Sequence, residues 1–144
     1  MRALRTGVDR FRRVPNLPNV IRGPLPAARR SLKGLPQMGE GGAYRMLLFA
    51  ADHPVLPVDA PVSRVARRLG YGREHTDLTK TVRSVREALV GELQGDAVTF
   101  RRAFLYLSNH GSATCTEREP HCAVCTLLKD CPYGQGQSGK PAIS

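Results

Sequence analysis

Residues 115–131 read CTEREPHCAVCTLLKDC, and all four cysteines of the 144-residue chain lie inside this stretch, at Cys115, Cys122, Cys125 and Cys131. The spacing is C-x6-C-x2-C-x5-C. A secreted disulfide scaffold would spread its cysteines along the chain, so this crowding points to a metal or a cluster held by four thiolates. Structural zinc usually takes two close pairs, each of the C-x2-4-C kind, with a longer insert between them. Only Cys122 and Cys125 make such a pair. The singly spaced outer cysteines suit a cubane, in which each iron takes one thiolate at its own corner. The spacing therefore favours iron–sulfur, and zinc stays open as the competing occupant. Lys129, Arg118 and nearby backbone N–H groups are available to offset the charge of an anionic cluster.

Outward from this loop the chain reads as helical. Upstream, a helix over about 97–109 carries Phe100, Phe104, Leu105 and Leu107, and Gly111 is expected to close it. Asp77 is placed to cap a helix over about 78–93, with Leu78, Val82, Val85, Leu89 and Leu93 at periodic positions. Asp59 stands where an N-cap belongs, followed by Pro61 and by inward Val62, Val65, Ala66 and Leu69, ending at Gly70. Residues 54–58 read as an extended linker after His53-Pro54. A helix over 40–50 places Ala43, Met46, Leu47 and Ala50 on one face, and a shorter one spans 25–33. Between these two, Pro36 removes an N–H donor and Gly39 tolerates positive φ. Residues 1–24, with Pro15, Pro18 and Pro24, show no sustained helical periodicity and read as a poorly ordered basic lead. The Gly/Ser-rich tail from 134 to 144 reads as disordered. No strand pattern competes and no repeat is present, so the fold class is all-α.

The charge is uneven. The chain carries a net charge of +10, and ten of its 22 basic residues, against two of its 12 acidic ones, precede Met46. Such a balance favours a polyanionic partner, nucleic acid above all. No apolar run approaches the ~20 residues that span a bilayer, and the Arg-rich start lacks the apolar region of a secretory signal. The expected setting is the cytoplasm, with no membrane partner. Arg64, Arg67 and Arg68 read as a solvated helix face, and His110 as packing near the cysteine loop.

Three features now stand in order over residues 25–133, and together they resemble the endonuclease III type of helix-hairpin-helix DNA glycosylase. Leu35-Pro36-Gln37-Met38-Gly39 is similar to that family's L-P-G-[VI]-G hairpin. Val58-Asp59-Ala60-Pro61-Val62-Ser63-Arg64-Val65 is similar to its V-D-T-H-V-x-R-V segment. The cysteine spacing, with His110-Gly111 before Cys115 and Pro120 before Cys122, resembles its C-terminal [4Fe-4S] loop. The resemblance implies a helix-hairpin-helix glycosylase fold, here an incomplete helical barrel followed by the cluster loop. It divides the chain into the lead at 1–24, a core at 25–112, the cluster loop at 113–133 and the tail.

The implied roles follow residue by residue. Cys115, Cys122, Cys125 and Cys131 hold a [4Fe-4S] cluster that is chiefly structural and presents Arg118, Glu119 and His121 to the DNA backbone. Hairpin residues Leu35, Gln37, Met38, Gly39 and Gly41, with Arg45 one turn on, grip phosphate through backbone N–H groups at a helix N-terminus. Asp59 becomes the catalytic carboxylate. From the residues alone, Asp59 reads first as a helix cap, and the resemblance reverses that order; the two roles are compatible.

The departures are specific. Gln37 replaces the hairpin's first glycine, at a strain of about 1 kcal/mol if that position needs positive φ. The lysine that the family's bifunctional members place two residues after the second hairpin glycine is Gly41 here, and glycine has no amine for a Schiff base. Neither the serine nor the extra C-terminal domain of the adenine-specific branch is present. The barrel's earlier helices have no counterpart, so apolar faces of helices 40–50 and 78–93 are expected to lie partly uncovered and to favour self-association. The resulting expectation is a monofunctional DNA glycosylase, or the C-terminal part of one. It would hydrolyse the N-glycosidic bond of a damaged or mismatched base in double-stranded DNA. It would work in the cytoplasm at the nucleoid, as a monomer if the barrel were complete. The alternative is a non-catalytic DNA-binding module with a structural iron–sulfur cluster, and a zinc-bound regulatory or structural protein comes third.

Overall fold

A computed structural model describes residues 16–137, and among them every regular element is helical. The order is α1 (Leu17–Arg22), α2 (Leu25–Lys33), α3 (Glu40–Ala51), α4 (Ala60–Arg68), α5 (Leu78–Leu93), α6 (Ala97–Ala113), single 3-10 turns at Cys122–Val124 and Leu128–Asp130, and α7 (Pro132–Gln137). The all-α expectation holds. No helix of the described residues is long and apolar enough to cross a membrane.

The chain divides into two compact units, at places other than those read from the sequence. One holds the chain up to Pro57 together with Asp96–Arg101; the other holds Val58–Gly95 and the chain from Arg102 onward.

In the first unit, α1, α2 and α3 share one core of Leu17, Ile21, Ala28, Leu32, Leu35, Ala43, Leu47 and Ala51, with Met38, Met46 and Val55 packed against it. Helix α1 corrects the expectation of a structureless lead, of which residues 1–15 lie outside the described residues. Pro18 does not break it, because a proline in the first helical turn removes an N–H that has no intrahelical acceptor. Leu17 and Ile21, four residues apart, then meet the core on one face. His53 Nε2 lies 2.7 Å from the Ile21 carbonyl and ties the end of α1 to the segment after α3. In α3 the buried set is Ala43, Leu47, Leu48 and Ala51, so Ala50 is exposed, one residue out of the expected phase. Arg101 completes this unit by bonding the Leu48 carbonyl at 3.1 Å and the Asp52 carboxylate at 2.6 Å, which caps the C-terminal end of α3.

In the second unit, Asp59 and Asp77 cap α4 and α5 as expected, through the backbone N–H of Val62 and of Thr79. Gly70, at φ 95°, turns the chain out of α4. Gly72, at φ 79°, passes so close to α5 that a Cβ there would stand 2.7 Å from Val85 Cα. Leu78 is exposed and Thr81 takes the buried position at the start of α5. Thr81 is satisfied there, bonding both the backbone N–H and the carbonyl of His75.

Helix α6 runs past the glycine expected to close it. Gly111 lies inside the helix and is buried, because the helix meets Pro61 at that residue. A Cβ on Gly111 would stand 2.8 Å from both the Pro61 Cβ and the Pro61 carbonyl oxygen. The glycine is there for close approach rather than for a turn. On the other side α6 leaves Leu105 and Tyr106 exposed, while Phe100 and Phe104 are buried. The apolar faces of α3 and α5 expected to lie uncovered are largely buried, at Ala43, Leu47, Val85 and Leu89; the large apolar side chains left exposed include Phe49 on α3 and Leu78 at the start of α5. Finally, α7 occupies the first residues of the tail expected to be disordered. It forms because Gly134 is buried against Leu128 and its N–H reaches Cys131 Sγ at 3.4 Å. The tail beyond Gln137 lies outside the described residues.

Candidate functional site

The four cysteines come together. Cys115, Cys122, Cys125 and Cys131 all line one cavity in the second unit, closed by Val65 from α4, Leu69 just after it, His110 from α6, and Pro120, Leu127 and Leu128 from the loop. The loop reaches this arrangement through short backbone turns. Cys115 N–H bonds the His110 carbonyl, His121 N–H bonds the Thr114 carbonyl, Cys125 N–H bonds the Cys122 carbonyl, and Cys131 N–H bonds the Leu128 carbonyl. Among the described residues no three His, Cys, Asp or Glu side chains stand close enough to hold a single metal ion. Four thiols lining one cavity are a donor set that fits a sulfur-ligated cluster or a thiolate-held metal.

Burial pushes the Cys122 thiol up, the charges of Cys115, Cys125 and Cys131 push it further in the same direction, and Arg68 pulls it down. Four thiolates cannot share an apolar-walled cavity without a cation between them. Polar groups also face the sulfurs. Arg68 donates from Nη1 to Cys115 Sγ at 3.2 Å, and His110 Nε2 lies 3.6 Å from Cys125 Sγ.

Arg64 and Arg68 correct the sequence reading. They do not form a solvated face. Arg64 donates from Nε to the Cys115 carbonyl at 2.9 Å and from Nη2 to the Gly111 carbonyl. Arg68 donates to the Thr116 carbonyl at 2.7 Å and the Glu117 carbonyl at 3.1 Å. Only Arg67 of the three behaves as a surface residue, pairing with exposed Glu74 at 2.8 Å.

Asp59 has both carboxylate oxygens engaged. Oδ1 accepts from the Val62 backbone N–H at 2.8 Å, and Oδ2 accepts from Ser108 Oγ at 2.8 Å. The first bond is a helix cap. The second comes from α6, 49 residues away, and no sequence pattern announced it. Asp59 lies at a surface recess lined also by Ser63, Arg64, Arg67, Val82 and Glu117.

In the hairpin of the first unit, Gln37 adopts φ 60°, the left-handed conformation that glycine would take without cost. Gly39 has φ −71° and is extended at the N-cap of α3. The positive φ expected to be open to Gly39 therefore falls on Gln37 instead. Leu35 is buried in the core and Met38 packs against it, so both side chains point inward. The Met38 N–H is also spent, on the Leu35 carbonyl at 3.2 Å. Gly39 brings no side-chain acceptor to the first turn of α3, and the residues there are Glu40, Gly41 and Gly42. The Glu40 carboxylate is held by Arg29 at 3.1 Å. Arg45 and Arg118 are exposed.

No protein-family model matches the chain. Endonuclease III of Bacillus subtilis (strain 168) is 31% identical over 123 residues, which are 84% of this chain and 52% of that protein. Endonuclease III of Rickettsia prowazekii (strain Madrid E) is 28% identical over 109 residues, 76% of this chain and 48% of that protein. The chain thus spans about half the length of the curated relatives it matches. Among solved structures, a trapped endonuclease III–DNA covalent intermediate in an estranged-adenine complex matches with a TM-score of 0.63 at 24% identity, over 85% of this chain and 55% of that one. A non-covalent endonuclease III–DNA complex matches with a TM-score of 0.64 at 24% identity, over 86% and 55%.

Proposed function

We propose that the chain is an endonuclease III-like protein, on the strength of its likeness to endonuclease III, and that it carries the carboxylate and cluster portion of a DNA base-excision glycosylase. In this reading Asp59 assists hydrolysis of the N-glycosidic bond at a damaged or mismatched base, and no lysine-dependent strand cleavage accompanies it. The observation that carries the reading is the Asp59 carboxylate, fixed through both oxygens and set at an open recess. As the base departs, positive charge develops on the deoxyribose, and a preorganised carboxylate stabilises it without having to reorient. The base must first leave the stack. Gly41, in the place of the family's lysine, offers no amine to attack the sugar carbon, which supports hydrolysis by water over Schiff-base chemistry.

Cys115, Cys122, Cys125 and Cys131 fit a [4Fe-4S] cluster. Bound there, the cluster cross-links residues 115–131 to one another. Double-stranded DNA is the proposed partner. Arg118 and Arg45 are the proposed side-chain contacts to its backbone, and the first turn of α3 supplies amides at the positive end of a helix. Both Gln37 and Glu40 weaken that grip, the first by strain and the second by its charge.

The test is base release from duplexes carrying defined lesions and mismatches, with borohydride added in parallel on abasic-site DNA. The expected result is base release without covalent trapping, lost in Asp59→Asn. Efficient trapping in the unaltered chain overturns the hydrolytic reading. A second reading, a non-catalytic DNA-binding module, draws support from Asp59 itself, whose capping bond is sufficient reason for an aspartate at that position. On that reading no base is released, Asp59→Asn changes nothing, and salt-sensitive DNA binding persists.

A further inference from the structure

Arg68 touches both ends of the cysteine loop. Its guanidinium reaches Cys115 through the sulfur at 3.2 Å and the carbonyl at 3.4 Å, then continues to the Thr116 and Glu117 carbonyls. Its own carbonyl faces Cys131 Sγ at 3.5 Å. Its guanidinium carbon stacks 4.3 Å from the ring centroid of Tyr133, two residues beyond Cys131. The first and last cysteines of the loop, 16 positions apart in sequence, are therefore gathered on one residue of α4. A lysine has neither the planar fork to bridge a sulfur and two carbonyls nor the flat face to stack on tyrosine.

A hydrogen bond to a cluster sulfur and a fixed positive charge beside it both stabilise the more reduced, more negative state of an iron–sulfur centre. We propose that Arg68 is a positioning residue for the cluster, fixing Cys115 directly and the Cys131 end of the loop through its stack on Tyr133, and, through its N–H···S bond to Cys115 and its charge, setting the cluster's reduction potential. This inference rests on the iron–sulfur reading of the four cysteines and is independent of whether the chain excises bases.

The experiment uses the full chain, loaded with iron and sulfide anaerobically. Two readouts are taken: the one-electron midpoint potential at an electrode and the rate at which a chelator strips iron. The variants are Arg68→Gln, Arg68→Lys and Arg67→Gln, the last removing the same charge from the neighbouring residue that pairs with Glu74. Arg68→Gln is expected to shift the potential negative and to release iron several-fold faster. Arg68→Lys should fall between Arg68→Gln and the unaltered chain, and Arg67→Gln should match the unaltered chain. A potential in Arg68→Gln equal to that of the unaltered chain overturns the inference, even if iron is lost faster. If Arg68→Gln takes up no cluster, Arg68→Lys decides, and an unshifted potential there overturns it. An unaltered chain that binds stoichiometric zinc, or neither iron nor sulfide, overturns the cluster reading and this inference with it.

Discussion

The two oxygens of Asp59 answer to two different helices, and that divides the consequences of changing it. Asp59→Ala loses the cap on α4 and the bond from Ser108, and a lost N-cap alone costs about 1 kcal/mol. The expected loss in urea unfolding is about 1–2 kcal/mol. Asp59→Asn keeps an oxygen for the Val62 N–H and should stay within about 1 kcal/mol of the unaltered chain. The capping role was legible because it is local: an aspartate three residues before Val62 with proline between is a start signal in itself. Ser108 was not legible, since nothing in the sequence links positions that far apart. The same limit explains Arg64 and Arg68. An arginine on a helix is solvated by default, and only the folded loop shows the carbonyls that claim these two. At Gly41 the structure adds room to the sequence argument, since a Cβ there meets nothing within 4 Å. Gly41→Lys should therefore fold, and it restores an amine at the place where the family's bifunctional members keep theirs. Borohydride should then trap a covalent adduct on abasic-site DNA that, on the proposed hydrolytic reading, the unaltered chain should not form. No trapping in a folded, DNA-binding Gly41→Lys protein would mean that position 41 does not face the sugar.

Helix contacts decide which glycines matter. Two glycines sit inside long helices, Gly91 in α5 and Gly111 in α6, and the sequence does not distinguish a glycine that is tolerated from one that is required. A Cβ on Gly91 meets nothing within 4 Å, so Gly91→Ala gains only helix propensity and should stabilise by about 0.5–1 kcal/mol. A Cβ on Gly111 meets Pro61 at 2.8 Å, much of it backbone that cannot turn aside. Gly111→Ala should cost about 1–3 kcal/mol despite the same gain in propensity. Paired urea titrations read the difference, and a stabilised Gly111→Ala would show that α6 and the start of α4 are less closely packed than this. Element positions were largely readable from apolar spacing and caps. The failures were of phase, at Ala50, Leu78 and Leu105, where a helix carries apolar residues on more than one face and spacing alone cannot choose among them. Helix α1 was missed for a different reason: six residues are too few to show a sustained helical period, and Pro18 stands in the first turn, which tolerates it.

At the scale of the molecule, the two units owe their order to different things. The first rests on an apolar core to which three helices contribute buried leucine, isoleucine and alanine. Beyond α6 the second has, among the described residues, only two single turns, the six-residue α7 and a set of buried or half-buried thiols around a cavity. Stacked turns of that size have little cooperative stability of their own, so on the proposed iron–sulfur reading the metal, not the packing, should hold residues 115–137 in place. A group that binds the folded loop and not the unfolded one contributes its binding free energy to the fold. Stripping the metal anaerobically should therefore remove hydrogen-exchange protection from residues 115–137 while α2 and α3 keep theirs. The loosening should extend to the Arg64 and Arg68 guanidinium protons, because their acceptors are the carbonyls of that loop. The alternative outcome has equal content. If protection in α2 and α3 collapses together with the loop, the two units unfold as one, and the metal stabilises the whole chain rather than its C-terminal part.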